Sequence, residues 1–475
     1  MANPEHLRLL NTPAWNHWRK SNTTTTPDFV GADLSGMDLS GKDLHQAHFL
    51  NANLAGANFD SADLSGALMT GAQLQGTRFH KAKLEGIHLD YANMNNMDFT
   101  GANLKKAVLR YANLLGCNLS ACNLSFAIFD GAVMIGANLS VANLENASFR
   151  GSKLQNVNFF DAKLTNTNFE TADASGANFM KADLTKTVLN QATLKKTRWE
   201  GALFQQTSSA SADFSDSTFN LAEINGAIFD HAVLTHCDFT KAKVLKTVFR
   251  HAQMQRTKLS QAEFEDCAFS NALMEDTDFR FVKLKNCSFD LTDLRKTNFY
   301  KQILNDTKFD AANLSDADLR ESSFTMCSFR DAKLQRANFR KAKLKECDLS
   351  SVKAQECDLG GCQLSLCNLS RSDLTEADLR FAILIGANLK SARLAHANLT
   401  CSDLRQAQLM GANFWGATLK KAQMEGNSRI TILPFLVLGK MIFPIQKRFR
   451  QGRIRKEKQK QQRAEELLQT VRPRK

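Results

Sequence analysis

Proline is scarce, and its scarcity is informative. Only 6 occur in 475 residues, and none lies between Pro27 and Pro434. Proline removes a backbone donor, so its absence over some four hundred residues suits a chain that donates a hydrogen bond at almost every step. No run of 18 apolar residues is present, which argues against a spanning helix. The start, MANPEHLRLLNTPAWNHWRK, has neither a continuous apolar stretch nor a small-residue cleavage site, so no secretory signal is expected and the expected location is the cytoplasm. Catalytic signatures are also missing: there is no G-x-S-x-G, no P-loop, and no dinucleotide fingerprint in a βαβ setting. An enzyme is therefore the least expected class, and neither a cofactor nor a metal is expected.

Charge of one sign is missing from most of the chain. The net charge is +13, yet residues 426–475 carry fourteen basic against three acidic side chains, or +11. Residues 1–30 carry +1, which leaves 44 basic against 43 acidic over residues 31–425. The long middle is balanced, and the basic pI belongs to the tail.

What is present is a period of five. From Leu34 to Met424 every fifth residue is large and apolar, giving 79 pentapeptides without insertion or deletion; only Ala174, Ser209 and Ala354 break the rule at the centre. Two residues before each centre stands a small residue, usually Ala, Thr, Ser or Cys, and Asp or Asn is favoured just before the centre. A period of five fits neither a helix nor a flat strand. It fits a chain that turns a corner after each pentapeptide, with four sides closing a 20-residue coil. Coils stacked at about 4.8 Å would make a rod of about 20 coils and roughly 95 Å. A second period lies on the first. Centres ending in 9 are Phe in 20 of 39 cases, and those ending in 4 in only 5 of 40, so one pair of opposite walls is Phe-rich and the other Leu-rich. After Phe339 the Phe-rich walls change to Leu.

Stretches such as GADLSGMDLSGKDL and GANLKSARLAHANL resemble the pentapeptide-repeat family, whose consensus is A-(D/N)-L-x-x, and the resemblance covers residues 31–425. It implies an all-β solenoid, a right-handed quadrilateral β-helix. Some members of that family imitate DNA and bind type II topoisomerases, which needs a strongly acidic rod. The neutral body here fits that poorly. Other members are bacterial effectors delivered into host cells, and no address for that is legible.

Three domains are expected: residues 1–30 as a helical cap and linker, residues 31–425 as the β-helix, and residues 426–475 as an apolar segment plus a basic helical tail. A solenoid needs caps at its open ends, and Leu7, Leu10, Trp15 and Trp18 form a short amphipathic helical pattern at the front. Two readings of the tail stand side by side. In one, Ile432, Phe435, Leu436 and Leu438 fold over the last coil. In the other, Phe435 and Leu436 dip into a membrane interface while Lys447, Arg448, Arg450, Arg453, Arg455 and Lys456, with further basic residues to 463, meet anionic lipid. Nucleic acid is a less favoured partner for the same charges. The protein partner itself is not legible.

Ten of the 11 Cys occupy the small inward position, with Cys401 the exception; they read as core residues standing in for Ala or Thr. His231 and His251, one coil apart, should stack on the surface, whereas a corner should split His45 from His48. Arg280, Arg320, Arg340 and Arg380 share one surface column, a candidate anion-binding strip whose alternative is a solvated face. The one soft stretch, around Ser209, reads as a local packing defect or as a bend or partner site. Taken together, the expected function is a non-enzymatic interaction or scaffolding rod, tethered to a membrane surface by its tail.

Overall fold

A computed structural model describes residues 2–427. The chain forms two compact units, Met1–Ser328 and a second beginning at Phe329. Both are parallel β-solenoids. In the first unit, Asp33 bridges Asn53, Asn53 bridges Gln73, and the same 20-residue step continues to Lys308 and Ser328. In the second, Asn338 bridges Asp358 and Asp358 bridges Asp378, up to Asp403 and Gln423. The 20-residue step and the inward pair of residues per pentapeptide agree with the four-sided coil expected from the sequence.

The corner explains much of the repeat's chemistry. Ala32 N–H donates to the Phe29 carbonyl at 3.1 Å, and the residue before it, Gly31, has φ +65°. A positive φ at the third residue is what a type II turn requires. The next corner, at Gly36, repeats it with φ +66°. Asp or Asn just before the centre has a distinct task. Asp33 Oδ1 accepts the Ser35 N–H at 3.1 Å, so the side chain closes the approach to the corner. It also joins the next coil, because Asn53 Nδ2 donates to Asp33 Oδ1 at 3.0 Å. In the second unit Asn388 Nδ2 donates to Asn368 Oδ1 at 3.0 Å in the same way.

Small inward residues that carry a hydroxyl or thiol spend it on a buried carbonyl. Thr77 Oγ1 donates to Leu54 O at 2.9 Å and Cys117 Sγ to Met94 O at 2.8 Å. That is why Thr, Ser and Cys replace Ala there without leaving an unsatisfied polar group. The centres form continuous stacks. Phe129, Phe149 and Phe169 stack at 4.8 and 4.9 Å along one wall, while Phe159 and Phe179 stack at 4.7 Å on the opposite wall. Edge-to-face contacts such as Phe149–Phe159 at 5.9 Å join the two walls. On one wall of the first unit the pieces lengthen into short strands: β1 (Leu203–Gln205), β2 (Glu223–Asn225), β3 (Lys243–Leu245), β4 (Glu263–Glu265) and β5 (Lys283–Lys285), all parallel and in that order.

Two helices stand at the front of the first unit, α1 (Pro4–Leu10) and α2 (Trp15–Ser21). Asn3 caps α1 by accepting the Glu5 and His6 N–H groups. Leu10 and Trp15 are buried, and the Trp15 ring lies 5.8 Å from Phe29. The helices also satisfy backbone carbonyls of the first coil. Trp15 Nε1 donates to Asp43 O at 2.8 Å, Asn16 Nδ2 to Gly41 O at 2.9 Å, and Asn3 N–H to Asp28 O at 3.0 Å. Two buried polar residues complete this end. His6 Nδ1 accepts the Asp28 N–H at 3.0 Å, and Arg19 donates to Thr25 O at 2.6 Å and reaches His45. Among the described residues no helix is long and apolar enough to cross a membrane.

Candidate functional site

With the interior filled by the repeat, chemistry is left to the outer walls and corners. The arginine strip expected from the sequence is largely self-neutralised. In the first unit Arg280 pairs with Asp278 at 2.7 Å and Arg320 with Asp318 at 2.7 Å, each carboxylate lying two residues earlier in the chain. Arg320 also lies over the Tyr300 ring at 5.5 Å, and Lys301 reaches the same ring at 5.0 Å. Burial pushes the Asp318 carboxyl up, but the Arg320 guanidinium and N–H outweigh it and hold the group below its ordinary value. In the second unit Arg380 pairs with Asp378 at 2.5 Å. Arg340 uses its N–H on Asn338 Oδ1 at 3.0 Å, and its stem runs beside Gly360. Three of the column's four arginines are thus paired with the carboxylate two residues earlier, and pairs this exposed add little to stability. The tail candidates Phe435, Leu436, Lys447, Arg448, Arg450, Arg453, Arg455 and Lys456 lie outside the described residues.

The cysteines take the inward position the repeat assigns them. Burial pushes the Cys117 and Cys122 thiols up to about 11. Cys401 alone is partly exposed. His231 and His251 stack at 4.6 Å with nearly parallel rings.

Three features of the walls were not singled out from the sequence. On the strand wall, Glu223, Lys243, Glu263 and Lys283 stand opposite one another in register, so charge alternates from coil to coil, and Glu263 pairs with Lys283. Their 20-residue spacing was the signal. Around another corner, His236, Gln255, Arg256, Glu275, Asp276 and Lys296 line a recess of about 300 Å³. It is laced internally by Asp216–His236 at 3.3 Å, Arg256–Asp276 at 3.8 Å and Glu275–Lys296 at 3.0 Å.

The third feature is apolar. Phe281 is 76% exposed and has φ +63°, and Ile303 on the adjoining wall is 70% exposed. In the second unit Leu366 and Phe381 are 70% and 63% exposed, at φ +61° and +60°. Leu221, Leu291 and Val141 repeat the pattern in the first unit. At other corners Gly, Asn, Asp and many longer polar residues, such as Lys181, Gln191 and Glu321, take the same left-handed conformation. Bulky apolar residues there meet strain and water together.

Comparison with known proteins places these observations among relatives. The family description "Pentapeptide repeat region" matches residues 42–119, 152–229 and 278–361, and "Pentapeptide repeats (8 copies)" matches 117–156, 232–271, 355–390 and 387–426. Among solved structures, HetL, a pentapeptide-repeat protein involved in heterocyst differentiation regulation from the cyanobacterium Nostoc sp., is 21% identical. The match covers 71% of this chain and 92% of HetL, with a TM-score of 0.23. Full-length QnrB1, a plasmid-mediated fluoroquinolone resistance protein, is 19% identical over 48% of this chain and 92% of its own, with a TM-score of 0.17. Rfr23 from the cyanobacterium Cyanothece is 36% identical over 21% of this chain and 60% of its own, with a TM-score of 0.11. No curated protein sequence matches.

Proposed function

This chain belongs to the pentapeptide-repeat family, and from that premise we propose that it is a non-enzymatic interaction scaffold whose corner residues dock a protein partner and whose basic tail holds it at an anionic membrane surface. One observation carries the docking half: bulky apolar side chains occupy left-handed, solvent-exposed corners at Phe281, Leu366 and Phe381. A non-Gly residue there costs roughly 1–2 kcal/mol of backbone strain, and exposing a ring adds nothing to folding. The left-handed φ is common to the repeat's corners, so it is the exposed apolar surface of these side chains that points to a use outside the fold. Apolar aromatic anchors in a polar surround are also the composition that dominates protein interfaces.

The tail half rests on charge. Fourteen basic residues against three acidic ones lie between 426 and 475, and each near an anionic surface contributes about 1 kcal/mol. Lys447, Arg448, Arg450, Arg453, Arg455 and Lys456 are the densest cluster. The neutral body speaks against nucleic acid along the walls, because phosphate contact needs a net positive strip.

The halves are tested separately. Flotation with anionic and neutral vesicles, using the full chain and a chain ending at 427, should show anionic-only binding by the full chain. Equal binding by both chains, or no preference for anionic lipid, removes the tether. Affinity capture with Phe281→Asn and Ile303→Asn should lose a partner that the unaltered chain retains. An unchanged partner set removes docking at that corner.

A further inference from the structure

We propose that His231 and His251 form an open two-imidazole site for a divalent transition-metal ion of the Cu2+ or Ni2+ class, carried on a corner of the first unit. Two histidines 20 residues apart are no metal-binding motif in a sequence. The coil brings them together. Both are exposed, and both have φ +58°. The corner holds each backbone at two points. His231 N–H donates to Arg250 O at 2.8 Å and Ala232 N–H to Phe229 O at 3.0 Å. One coil on, His251 N–H donates to Ser270 O at 3.1 Å and Ala252 N–H to Phe249 O at 3.2 Å. The rings lie 4.6 Å apart and 3° from parallel. Two ligands thus stand side by side before any ion arrives, which lowers the ordering cost of binding.

The ring nitrogens are unspent. Neither ring makes a hydrogen bond or an ion pair among the described residues, whereas His45, His88 and His236 each face a carboxylate. The neighbouring Arg250 is turned onto Asp230, Nη2 to Oδ2 at 2.6 Å and Nε to Oδ1 at 3.3 Å, so its charge is offset beside the pair. Imidazole nitrogen is the commonest protein ligand for such ions. Two nitrogens on one ion, each at about 2.0–2.1 Å from it, stand about 3 Å apart. From a ring spacing of 4.6 Å the outer edges must close by about 1.5 Å. The terminal torsion of His is broad, so a small pivot of each ring supplies this without moving the backbone. Among the described residues no third His, Cys, Asp or Glu completes a cluster here. That selects the ion. Structural zinc takes four protein ligands. Cu2+ and Ni2+ suit imidazole, stand high in the affinity order for nitrogen sites, and can keep water on their remaining positions. Ser211 and Asn271, the corner residues one coil to either side, are uncharged and leave those positions open.

The test is calorimetric titration of the full chain with Ni2+, unaltered and carrying His231→Asn or His251→Asn. Asn already occupies this corner position at Asn51 and Asn271, with φ +53° and +60°, so both variants keep the backbone. The unaltered chain should bind at a site that each single replacement weakens at least tenfold, because one imidazole alone cannot chelate. Amide hydrogen exchange then locates the ion. Under Ni2+ at a hundredfold excess over its Kd, peptides spanning 225–275 should exchange at least tenfold slower, since an ion that clips two coils must leave before they part. Both variants should lose that protection, with peptides from 30–200 unchanged in all three chains as the folding control. Equal Ni2+ affinity in the unaltered chain and either variant overturns the proposal. So does slowing over 225–275 that persists in the variants, because the ion then sits on other groups.

Discussion

Replacing Ser209 with alanine should stabilise this protein. Ser209 sits at a pentapeptide centre, fully buried, and its Oγ has no hydrogen-bond partner. An unsatisfied buried hydroxyl costs about 1–3 kcal/mol, and alanine removes only that oxygen, so Ser209→Ala should gain roughly 1 kcal/mol after the small loss of contact. The position is small for a reason. Ten residues earlier, on the opposite side of the same coil, stands Trp199, the only Trp among the centres. Its ring stacks on Phe179 at 4.1 Å and reaches Phe204 and Phe214, the centres flanking Ser209, at 5.1 and 5.8 Å. Restoring the repeat's usual leucine, Ser209→Leu, should therefore overpack the coil and destabilise it by about 1–3 kcal/mol. Trp199→Leu alone should leave a void costing about 2–4 kcal/mol. The double variant should recover part of both losses, a coupling of 0.5 kcal/mol or more. Denaturant-dependent hydrogen exchange over residues 190–220 reads these terms locally, which suits a repeat structure stabilised coil by coil. A destabilised Ser209→Ala, or strictly additive effects in the double variant, would refute the reasoning.

Alkylation of the folded protein should modify Cys401 first and leave Cys117 and Cys122 untouched until unfolding, since burial holds those thiols near 11; mass spectrometry of labelled peptides decides it. Burial lowers the His6 pKa, and its Nδ1 must stay unprotonated to accept the Asp28 N–H. The unfolded chain then binds the proton more readily, so the stability His6 contributes is present above its ordinary value of 6.5 and is lost as pH falls below it. Exchange of residues 3–28 should accelerate in that window, and a His6→Gln chain should lack the dependence. Phe281→Asn should raise stability by about 1 kcal/mol, because Asn tolerates the left-handed conformation, while weakening partner capture. A loss of stability there would mean the ring is held by the fold.

The five-residue period was enough to infer the four-sided coil, because inward and outward positions follow from counting. It also placed the cysteines inside and the histidine pair on the surface. What it left unexplained depends on side-chain direction. Asp and Asn before the centre read as a polar preference; their task, accepting the N–H two residues on, appears only once the corner's conformation is known. The same geometry turns Arg280, Arg320 and Arg380 back onto Asp278, Asp318 and Asp378. Three of the four cations in that column are members of local pairs. His6 and Arg19 were hidden because their partners lie off the repeat's period: the Asp28 N–H 22 residues from His6, and the Thr25 carbonyl and His45 at 6 and 26 residues from Arg19. The second unit starts at Phe329 without any break in the repeat.

The repeat restrains its corners less than its interior, and that difference is where specificity can accumulate. An inward centre that shrinks must be matched by a neighbour, as Trp199 matches Ser209. A corner can take Gly, Asn, Lys, Leu or Phe at the same φ, at a cost of at most about 1–2 kcal/mol. Apolar residues at corners therefore vary almost independently of the fold and of one another. A surface for a partner can be assembled from Phe281 and Ile303 in one unit, or from Leu366 and Phe381 in the other, without disturbing the stacked core beneath. The ends follow the opposite rule. There the backbone's own donors and acceptors dictate what may sit on them, and the first coil's carbonyls already call for the tryptophan and asparagine that α2 provides.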